Sequence, residues 1–368
     1  MLIQPYIRRE AELSSRIEGT RADLKDIYAF EAGQPMDESS ASSASDVREV
    51  HNYVVATEYG LEQIKHRPIT LSLLRELHER LLHQVHGERD RPGEFRDVQN
   101  WVGASNDIAA ARYVPPPVMQ MQDALGSLEK YFNSKAGDAL PPVVRLAMIH
   151  YQFEAIHPFR DGSGRIGRLL VILLLVHWNI LPSHLLYLSA YLERSRKQYY
   201  DSLLSVSTNG EWEAWIIFFA QGIFEQARDA SKRAKHLEDL RRTWRSRLVD
   251  LHASPPAHQL CDWLFERPLL TIPQAAAHLK VAYNTARTAI EYLVSAKVLE
   301  PLGGKSVKYI CLLGRSAFIR RKSELKGFDF NIIRKLKSLA GLFQSNEIAF
   351  KTLYYVGLRQ LNAIPVVG

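Results

Sequence analysis

The chain has 368 residues, of which 46% are hydrophobic and 24% charged, and this balance predicts a globular protein of two or three domains. Its net charge of +7 favours an anionic partner but does not separate a nucleotide from a nucleic acid. Two cysteines without CxxC spacing favour a reducing cytoplasm, and the lack of a long apolar run or a leader-like start argues against membrane insertion and secretion.

Residues 8–31 are expected to form one helix, because apolar side chains recur on one side of it. A Ser/Ala stretch follows and predicts a loop. Beyond it, Asp46 and Glu49 have the spacing of a capping box at the start of another helix. Residues 70–86 again show the apolar spacing of a helix. We therefore expect a helical N-terminal region over residues 1–90.

A different pattern occupies residues 92–117, where glycines, an asparagine and three consecutive prolines separate short pieces of chain. This pattern predicts a β-hairpin flap rather than a helix. Helical patterns return in four further segments, at residues 118–132, 143–154, 190–207 and 211–250. Residues 91–250 are therefore expected to form one mainly helical core that carries the flap.

A smaller domain is expected after Ser254-Pro255-Pro256, which ends the preceding helix. Residues 255–314 contain three short helical patterns and then a hairpin with Gly303-Gly304 at its tip, which is typical of a winged helix-turn-helix. Residues 315–368 form a basic tail for which no fold is predicted.

A winged helix can bind DNA. The second helix would then present Thr285, Arg287 and Thr288 to a groove, while Lys305 and Lys308 on the wing would contact phosphates. Modules of this kind also serve as docking or dimerisation domains, and few arginines lie on this recognition helix. The sequence leaves both roles open.

The most informative segment is residues 157–168, which reads His-Pro-Phe-Arg-Asp-Gly-Ser-Gly-Arg-Ile-Gly-Arg. An apolar run over residues 169–176 follows directly and predicts a buried helix. The glycines therefore lie where a helix begins, and the backbone N–H groups of a helix start are unpaired and can receive an anion. The segment thus predicts a phosphate-binding site with a histidine beside it.

The charged residues of this segment define the chemistry further. Arg165 and Arg168 lie on neighbouring helical turns, so both can reach phosphate oxygens. Asp161 would repel those phosphates unless Mg²⁺ bridged them, which implies a metal. His157 is the residue type that can accept the proton of an attacking hydroxyl near neutral pH. The set predicts nucleotidyl or phosphoryl transfer to a hydroxyl.

The segment resembles the signature of the Fic family of AMP-transferring enzymes, HxFx(D/E)GNGRxxR, with Ser163 at the position where that family usually has Asn. The resemblance implies that His157 deprotonates a Ser, Thr or Tyr hydroxyl on a target protein or on the chain itself, and that Asp161 holds Mg²⁺ against the phosphates of ATP. The residues that the resemblance assigns to nucleotide binding are Asp161, Gly162, Ser163, Gly164, Arg165, Gly167, Arg168 and Tyr199.

A second motif lies near the start of the chain. Ser14, Glu18 and Gly19 match the (S/T)xxxE(G/N) pattern of the inhibitory helix in Fic proteins. The resemblance implies that the Glu18 carboxylate binds Arg168 and occupies the position of the ATP γ-phosphate, since a guanidinium pairs with either anion. We therefore expect a wild-type enzyme that is nearly silent.

Together these features predict a mainly α protein in which a Fic-type helical domain with a flap precedes a winged helix-turn-helix. The leading hypothesis is an autoinhibited protein adenylyltransferase that uses ATP and Mg²⁺. Two alternatives are other reactions of the same site, namely removal of AMP from a protein or transfer of a different phosphate-containing group. A third is a DNA-binding regulator. A homodimer is left open, and the target protein is not identified.

Overall fold

The structure is a computed structural model, and it describes residues 3–31, 42–85, 91–103, 107–134, 140–302 and 308–311. The helices of the amino-terminal part are α1 (Ile3–Ile17), α2 (Leu24–Glu31), α3 (Ala44–Gln63), α4 (Leu71–Leu81), α5 (Val118–Asn133), α6 (Pro142–Ile156) and α7 (Ser163–His177). Those that follow are α8 (Leu188–Arg194), α9 (Arg196–Asn209), α10 (Trp212–Asp250), α11 (Pro255–Trp263), α12 (Ile272–Leu279) and α13 (Tyr283–Ser295). Three short strands are β1 (Leu269–Thr271), β2 (Leu299–Leu302) and β3 (Lys308–Cys311).

Helices α6 and α7 form the centre of the larger part. Every side chain from Leu169 to Leu175 is fully buried, as expected for a helix that is apolar on all sides. Helix α6 packs against α7, with α5 and α10 on its other sides. Because both ends of the loop between α6 and α7 are held in this core, residues 157–162 have a fixed position.

The N-terminal helices differ from the sequence expectation in two ways. The single helix expected over residues 8–31 is wrong, since α1 and α2 are separated by a turn in which Gly19 has φ +109°, a conformation that favours glycine. The capping box expected at Asp46 and Glu49 is wrong as well. Helix α3 is capped three residues earlier, where the Ser43 side chain accepts from the Asp46 N–H and Asp46 caps the Ser43 N–H.

Helix α1 is held against α3 and α8. On the α8 side, the fully buried carboxylate of Glu10 accepts hydrogen bonds from the Ser189 hydroxyl at 2.5 Å and the Ser189 N–H at 3.2 Å. Burial raises the pKa of Glu10 from 4.5 to about 7, although the Ser189 hydrogen bonds and the charge of Arg168 oppose it. Folding therefore favours the protonated form of Glu10.

A Glu10→Gln substitution is expected to stabilise the protein at pH 8 but not at pH 5. The unfolded chain ionises Glu10 near pH 4.5 and the folded chain near pH 7, so this residue lowers the stability as pH rises through that window. The raised pKa corresponds to about 2–4 kcal/mol at pH 8. Thermal unfolding at both pH values measures the effect, with the exposed Glu58→Gln on α3 as control. Equal Tm changes at the two pH values would contradict the expectation.

The segment expected as a β-hairpin flap shows little regular structure in its described part, residues 91–103 and 107–117. An isolated antiparallel bridge joins Val102 to Tyr113, and a short 3₁₀ turn covers Ile108–Ala110. Four apolar side chains in or next to this segment are exposed, namely Val98, Ile108, Val114 and Met119. The segment is therefore an extended loop with several exposed apolar side chains, and the bridge joins its two arms, residues 91–103 and 107–117.

The carboxyl-terminal part begins where α10 ends and Pro255 starts α11, close to the expected boundary. Before this boundary, the single helix expected over residues 190–207 is wrong, since the structure has two helices there, α8 and α9. Helices α11 to α13 pack against one another and against an antiparallel sheet of order β1-β3-β2. The predicted hairpin tip at Gly303-Gly304 and the basic tail lie outside the described residues.

Across the part of the chain that the structure describes, no helix has both the length and the apolar character that crossing a membrane requires.

Candidate active site

The start of α7 is built to leave backbone N–H groups available. Gly162 caps the helix with φ 78° and ψ 0°, a left-handed conformation that a residue with a Cβ rarely adopts. A Cβ added there would also lie 3.1 Å from the Leu81 side chain. The N–H groups of Ser163, Gly164 and Arg165 open the helix and have no carbonyl partner within it. They lie where the sequence predicts an anion-binding nest, and the binding of an anion there stays a prediction.

Ser163 contributes its backbone to this nest but not its side chain. Its hydroxyl accepts from the Phe159 N–H at 3.0 Å and donates to the Phe159 carbonyl at 3.2 Å, and the residue is 1% exposed. The hydroxyl therefore fastens the loop that precedes α7. Ser163, the residue that differs from the Fic signature, therefore lies on the inner side of the loop and holds the backbone of Phe159, two residues after His157.

His157 lies at the C-terminus of α6, with φ 47° and ψ 63°. It is half-buried. Burial lowers the pKa of the imidazole, while the Glu18 charge and a hydrogen bond to the Glu154 carbonyl oppose that shift. The net effect favours the neutral imidazole near pH 7. A neutral imidazole can accept a proton, as the predicted role requires.

Arg168 is buried on α7 and binds the end of α1. Its Nε donates to the Ser14 hydroxyl at 2.8 Å, and its Nη2 donates to the Ser14 carbonyl at 3.0 Å and to Glu18 Oε1 at 2.7 Å. A Cβ added at Gly164 would lie 2.5 Å from the same Glu18 oxygen. The Glu18 carboxylate therefore lies over the first turn of α7, in front of the nest.

Charge keeps Glu18 ionised in this position. Burial raises the pKa of Glu18, but the guanidinium groups of Arg168 and Arg165 and the imidazole of His157 lower it more, so that it lies below its ordinary value. Ser14 and Glu18 of the second motif thus both contact Arg168 in the segment 157–168. About 150 residues of sequence separate the two motifs. Gly19 turns the chain directly afterwards.

Arg165 is held by two carboxylates. It is 1% exposed and pairs with Glu49 of α3 and, at 2.7 Å, with Asp161. Thr20, which follows Gly19 of the second motif, donates to the other oxygen of Glu49 at 3.0 Å. Sequence reasoning missed Glu49 because it was assigned to a helix cap, and no local pattern links it to a residue 116 positions away.

The residues present can accommodate Mg²⁺ only together with phosphates. Among the described residues, no three His, Cys, Asp or Glu side chains cluster as a metal site. The Asp161 side chain is 42% exposed at the edge of the nest and already pairs with Arg165. One carboxylate plus phosphate oxygens and water is a common way for proteins to hold Mg²⁺. Asp161 therefore fits the predicted role as the single protein ligand.

Two residues assigned to nucleotide binding have internal contacts. The Tyr199 hydroxyl is fully buried and lies 2.9 Å from His150 Nε2. Gly167 allows α7 to approach α6, since a Cβ there would lie 2.3 Å from Glu154 Oε1. That oxygen is buried without a hydrogen-bond partner, and burial raises the pKa of Glu154 to about 7. Direct contact of Tyr199 or Gly167 with a nucleotide stays a prediction.

The residues suggested for DNA binding lie far along the chain. Thr285, Arg287 and Thr288 are exposed on α13, where Arg287 pairs with Glu291 at 3.0 Å. Lys308 begins β3, whereas Lys305 lies outside the described residues. Three of the five side chains suggested for DNA binding thus lie on the exposed face of one helix.

Two family models match the chain. Residues 68–175 match the Fic/DOC family, and residues 1–62 match the Fic/DOC family N-terminal region. A protein named protein adenylyltransferase Fic from Aedes aegypti is 31% identical over 176 residues, covering 46% of this chain and 32% of that protein. The Culex quinquefasciatus protein of the same name is 30% identical over the same shares. The chain spans about a third of the length of these relatives.

The fold has a counterpart among solved structures. A Fic family protein from Desulfovibrio desulfuricans G20 superimposes with a TM-score of 0.53 at 19% identity, covering 84% of this chain and 88% of that one. At this identity the likeness concerns the fold.

Proposed function

This chain belongs to the Fic/DOC family through residues 1–62 and 68–175, and from that premise we propose that it is an autoinhibited protein adenylyltransferase. One observation carries the proposal. The start of α7 has open backbone N–H groups and a buried arginine, and the carboxylate of Glu18, the residue after α1, lies over both. A site that already accommodates one internal anion is suited to the phosphates of a nucleotide.

The proposed reaction transfers AMP from ATP to a protein hydroxyl. His157 takes the proton of a Ser, Thr or Tyr hydroxyl, the hydroxyl oxygen bonds to the α-phosphorus, and the bond from that phosphorus to the bridging oxygen of diphosphate breaks. The N–H groups of the nest stabilise the charge that develops on the α-phosphate. Arg165 and Arg168 hold the β- and γ-phosphates with charge-assisted hydrogen bonds.

Asp161 would hold Mg²⁺ together with the phosphates, and the ion would supply charge neutralisation there. What the chain itself contributes is orientation. The carboxylate of Asp161 also pairs with Arg165, so the two groups that meet the phosphates fix each other at 2.7 Å.

Autoinhibition follows from competition for Arg168. The Nε–H and Nη2–H groups of Arg168 already donate to Ser14 and Glu18 before a nucleotide arrives. A γ-phosphate that seeks the same donors is displaced, and the α-phosphate then lies out of line for attack. The wild-type chain is therefore proposed to transfer AMP slowly.

A nucleotide panel tests the proposed reaction. The Glu18→Gly protein would be incubated with Mg²⁺ and, in parallel, with ATP, UTP, GTP or CDP-choline, and its intact mass would be measured. An added adenylyl group with ATP alone supports the proposal. A mass increase with another donor instead, or with none of the four, would overturn it. Incubation with a pre-adenylylated protein tests the alternative of AMP removal.

A second proposed function is DNA binding by the carboxyl-terminal module. The order of three helices and a three-stranded antiparallel sheet, with Thr285, Arg287 and Thr288 exposed on α13, supports a winged helix-turn-helix. The homodimer and the cytoplasmic location stay predictions.

If this module binds DNA, the full chain is expected to retain random duplex at low salt and to release it as salt rises, because phosphate contacts expel counterions. Arg287→Gln should weaken retention several-fold, and Glu266→Gln on the same module serves as a control that should not. Electrophoretic retention at two salt concentrations measures both. Retention that is independent of salt, or absent, would remove DNA from the candidate partners.

A further inference from the structure

Arg96 is one of the largest fully buried side chains of the described residues, at 1% exposure. It lies in the first arm of the extended loop. Its guanidinium faces the backbone at the end of α6, where Nε donates to the His157 carbonyl at 3.1 Å and Nη2 reaches the Ile156 carbonyl at 3.5 Å. The backbone N–H of Arg96 donates to the Pro158 carbonyl at 2.8 Å.

The same guanidinium also binds both arms of the extended loop. Nη1 donates to the Val98 carbonyl at 3.2 Å, and Nη2 donates to the Pro116 carbonyl. One planar group therefore joins the start of the loop, its end and the backbone of His157. Guanidinium suits this position because its five N–H donors have a fixed planar arrangement that an ammonium group lacks.

The backbone of His157 requires such support. A non-glycine residue in the left-handed region costs free energy, and His157 has φ 47°. The last carbonyls of a helix lack intrahelical partners, and a cation at a helix C-terminus is favourable. Asn100 adds to the support, since its Nδ2 donates to the Phe159 carbonyl at 3.1 Å. The charge of Arg96 also helps to lower the pKa of His157.

We propose that Arg96 is a positioning residue that fixes His157 in its left-handed backbone conformation and connects both arms of the extended loop, at Val98 and Pro116, to the base that acts on the target hydroxyl. The inference rests on the proposed function for the role of His157. It assigns no contact with nucleotide to Arg96.

The test uses Arg96→Lys in the Glu18→Gly background. Lysine keeps the positive charge but cannot donate to the separate carbonyls at once. ATP affinity, measured by calorimetry with Mg²⁺, should stay within about twofold, because the nest and Arg168 are untouched. The transfer rate should fall by about 10- to 100-fold, the size of loss expected from misplacing a catalytic group. Arg242→Lys, an exposed ion-paired arginine on α10, is the matched control and should change neither value.

A second readout does not depend on the reaction. In NMR spectra of histidine-labelled protein, the Glu18→Gly parent should give one sharp imidazole signal for His157, assigned with His157→Ala. The Arg96→Lys variant should give a broadened or split signal. Should Arg96→Lys fail to fold, Asn100→Ala removes a weaker support of the same loop and should lower the rate by about 3- to 10-fold.

The outcomes separate the two proposals. A parental transfer rate with a sharp, unshifted His157 signal in Arg96→Lys would overturn the positioning role. No transfer by the Glu18→Gly parent, together with a disturbed His157 signal in Arg96→Lys, would overturn the proposed reaction and retain the positioning role. A loss of ATP affinity equal to the loss of rate would show that Arg96 acts through the nest, and would also overturn the inference.

Discussion

Replacing Glu18 by glycine is expected to raise self-adenylylation about 5- to 150-fold, which corresponds to a typical coupling free energy of about 1–3 kcal/mol between two sites. The physical reason is the release of Arg168 Nη2, which donates to Glu18 at 2.7 Å, and the uncovering of the first turn of α7 above Gly164. Glu18 follows the last residue of α1, so a glycine there adds little strain to the helix. Transfer of label from α-labelled ATP measures the rate.

Two control variants sharpen this test. Glu62→Gly replaces an exposed glutamate in the last turn of α3 and should leave the rate unchanged. Glu18→Asp keeps the charge on a side chain shorter by one methylene, and it should give a rate between those of wild type and Glu18→Gly. If Glu18→Gly and wild type transfer label equally well, the Glu18 carboxylate does not inhibit.

Adding His157→Ala to the Glu18→Gly protein is expected to reduce transfer by about 100- to 10,000-fold, the usual contribution of a general base. Binding of ATP should persist, because the nest and both arginines lie on α7. A rate that survives the substitution would show that another group takes the proton. Measuring nucleotide affinity beside the rate separates loss of the base from loss of the fold.

The pH dependence of the Glu18→Gly protein gives an independent check on His157. Burial lowers the pKa of its imidazole, and removing the Glu18 charge, which raises that pKa, lowers it further. Since the neutral form is the base, the transfer rate should be level from pH 7 to pH 8 and should fall only below the lowered pKa. A rate that rises steeply between pH 7 and pH 8 would contradict this assignment.

Local patterns sufficed where neighbouring residues decide the structure. The start of α7 was predictable because the glycines at 162 and 164 precede an apolar run, and the structure places a helix cap there. The break between α1 and α2 was not, since the apolar positions on the two sides of Gly19 keep nearly the same helical phase. Periodicity alone does not reveal a turn that leaves the phase unchanged.

Contacts between distant segments could be predicted from the sequence only where both segments matched a family motif. The pairing of Glu18 with Arg168 was expected from two resemblances. The pairing of Glu49 with Arg165 and the donation from Arg96 to the His157 backbone span 116 and 61 residues, and neither has a sequence pattern that marks it. Arginines whose partners are carbonyls are hard to recognise in a sequence, because every residue supplies a carbonyl.

The two partners of the Glu18–Arg168 ion pair differ in their access to solvent. The side chain of Arg168 is 1% exposed, whereas that of Glu18 is 32% exposed. An incoming nucleotide can therefore reach the carboxylate directly, while α1 stays anchored by Ser14 beneath it. Displacement of Glu18 then requires rotation of one side chain and no detachment of a helix. Under the proposed autoinhibition, we therefore expect inhibition to weaken gradually as the nucleotide concentration rises, instead of switching at a threshold.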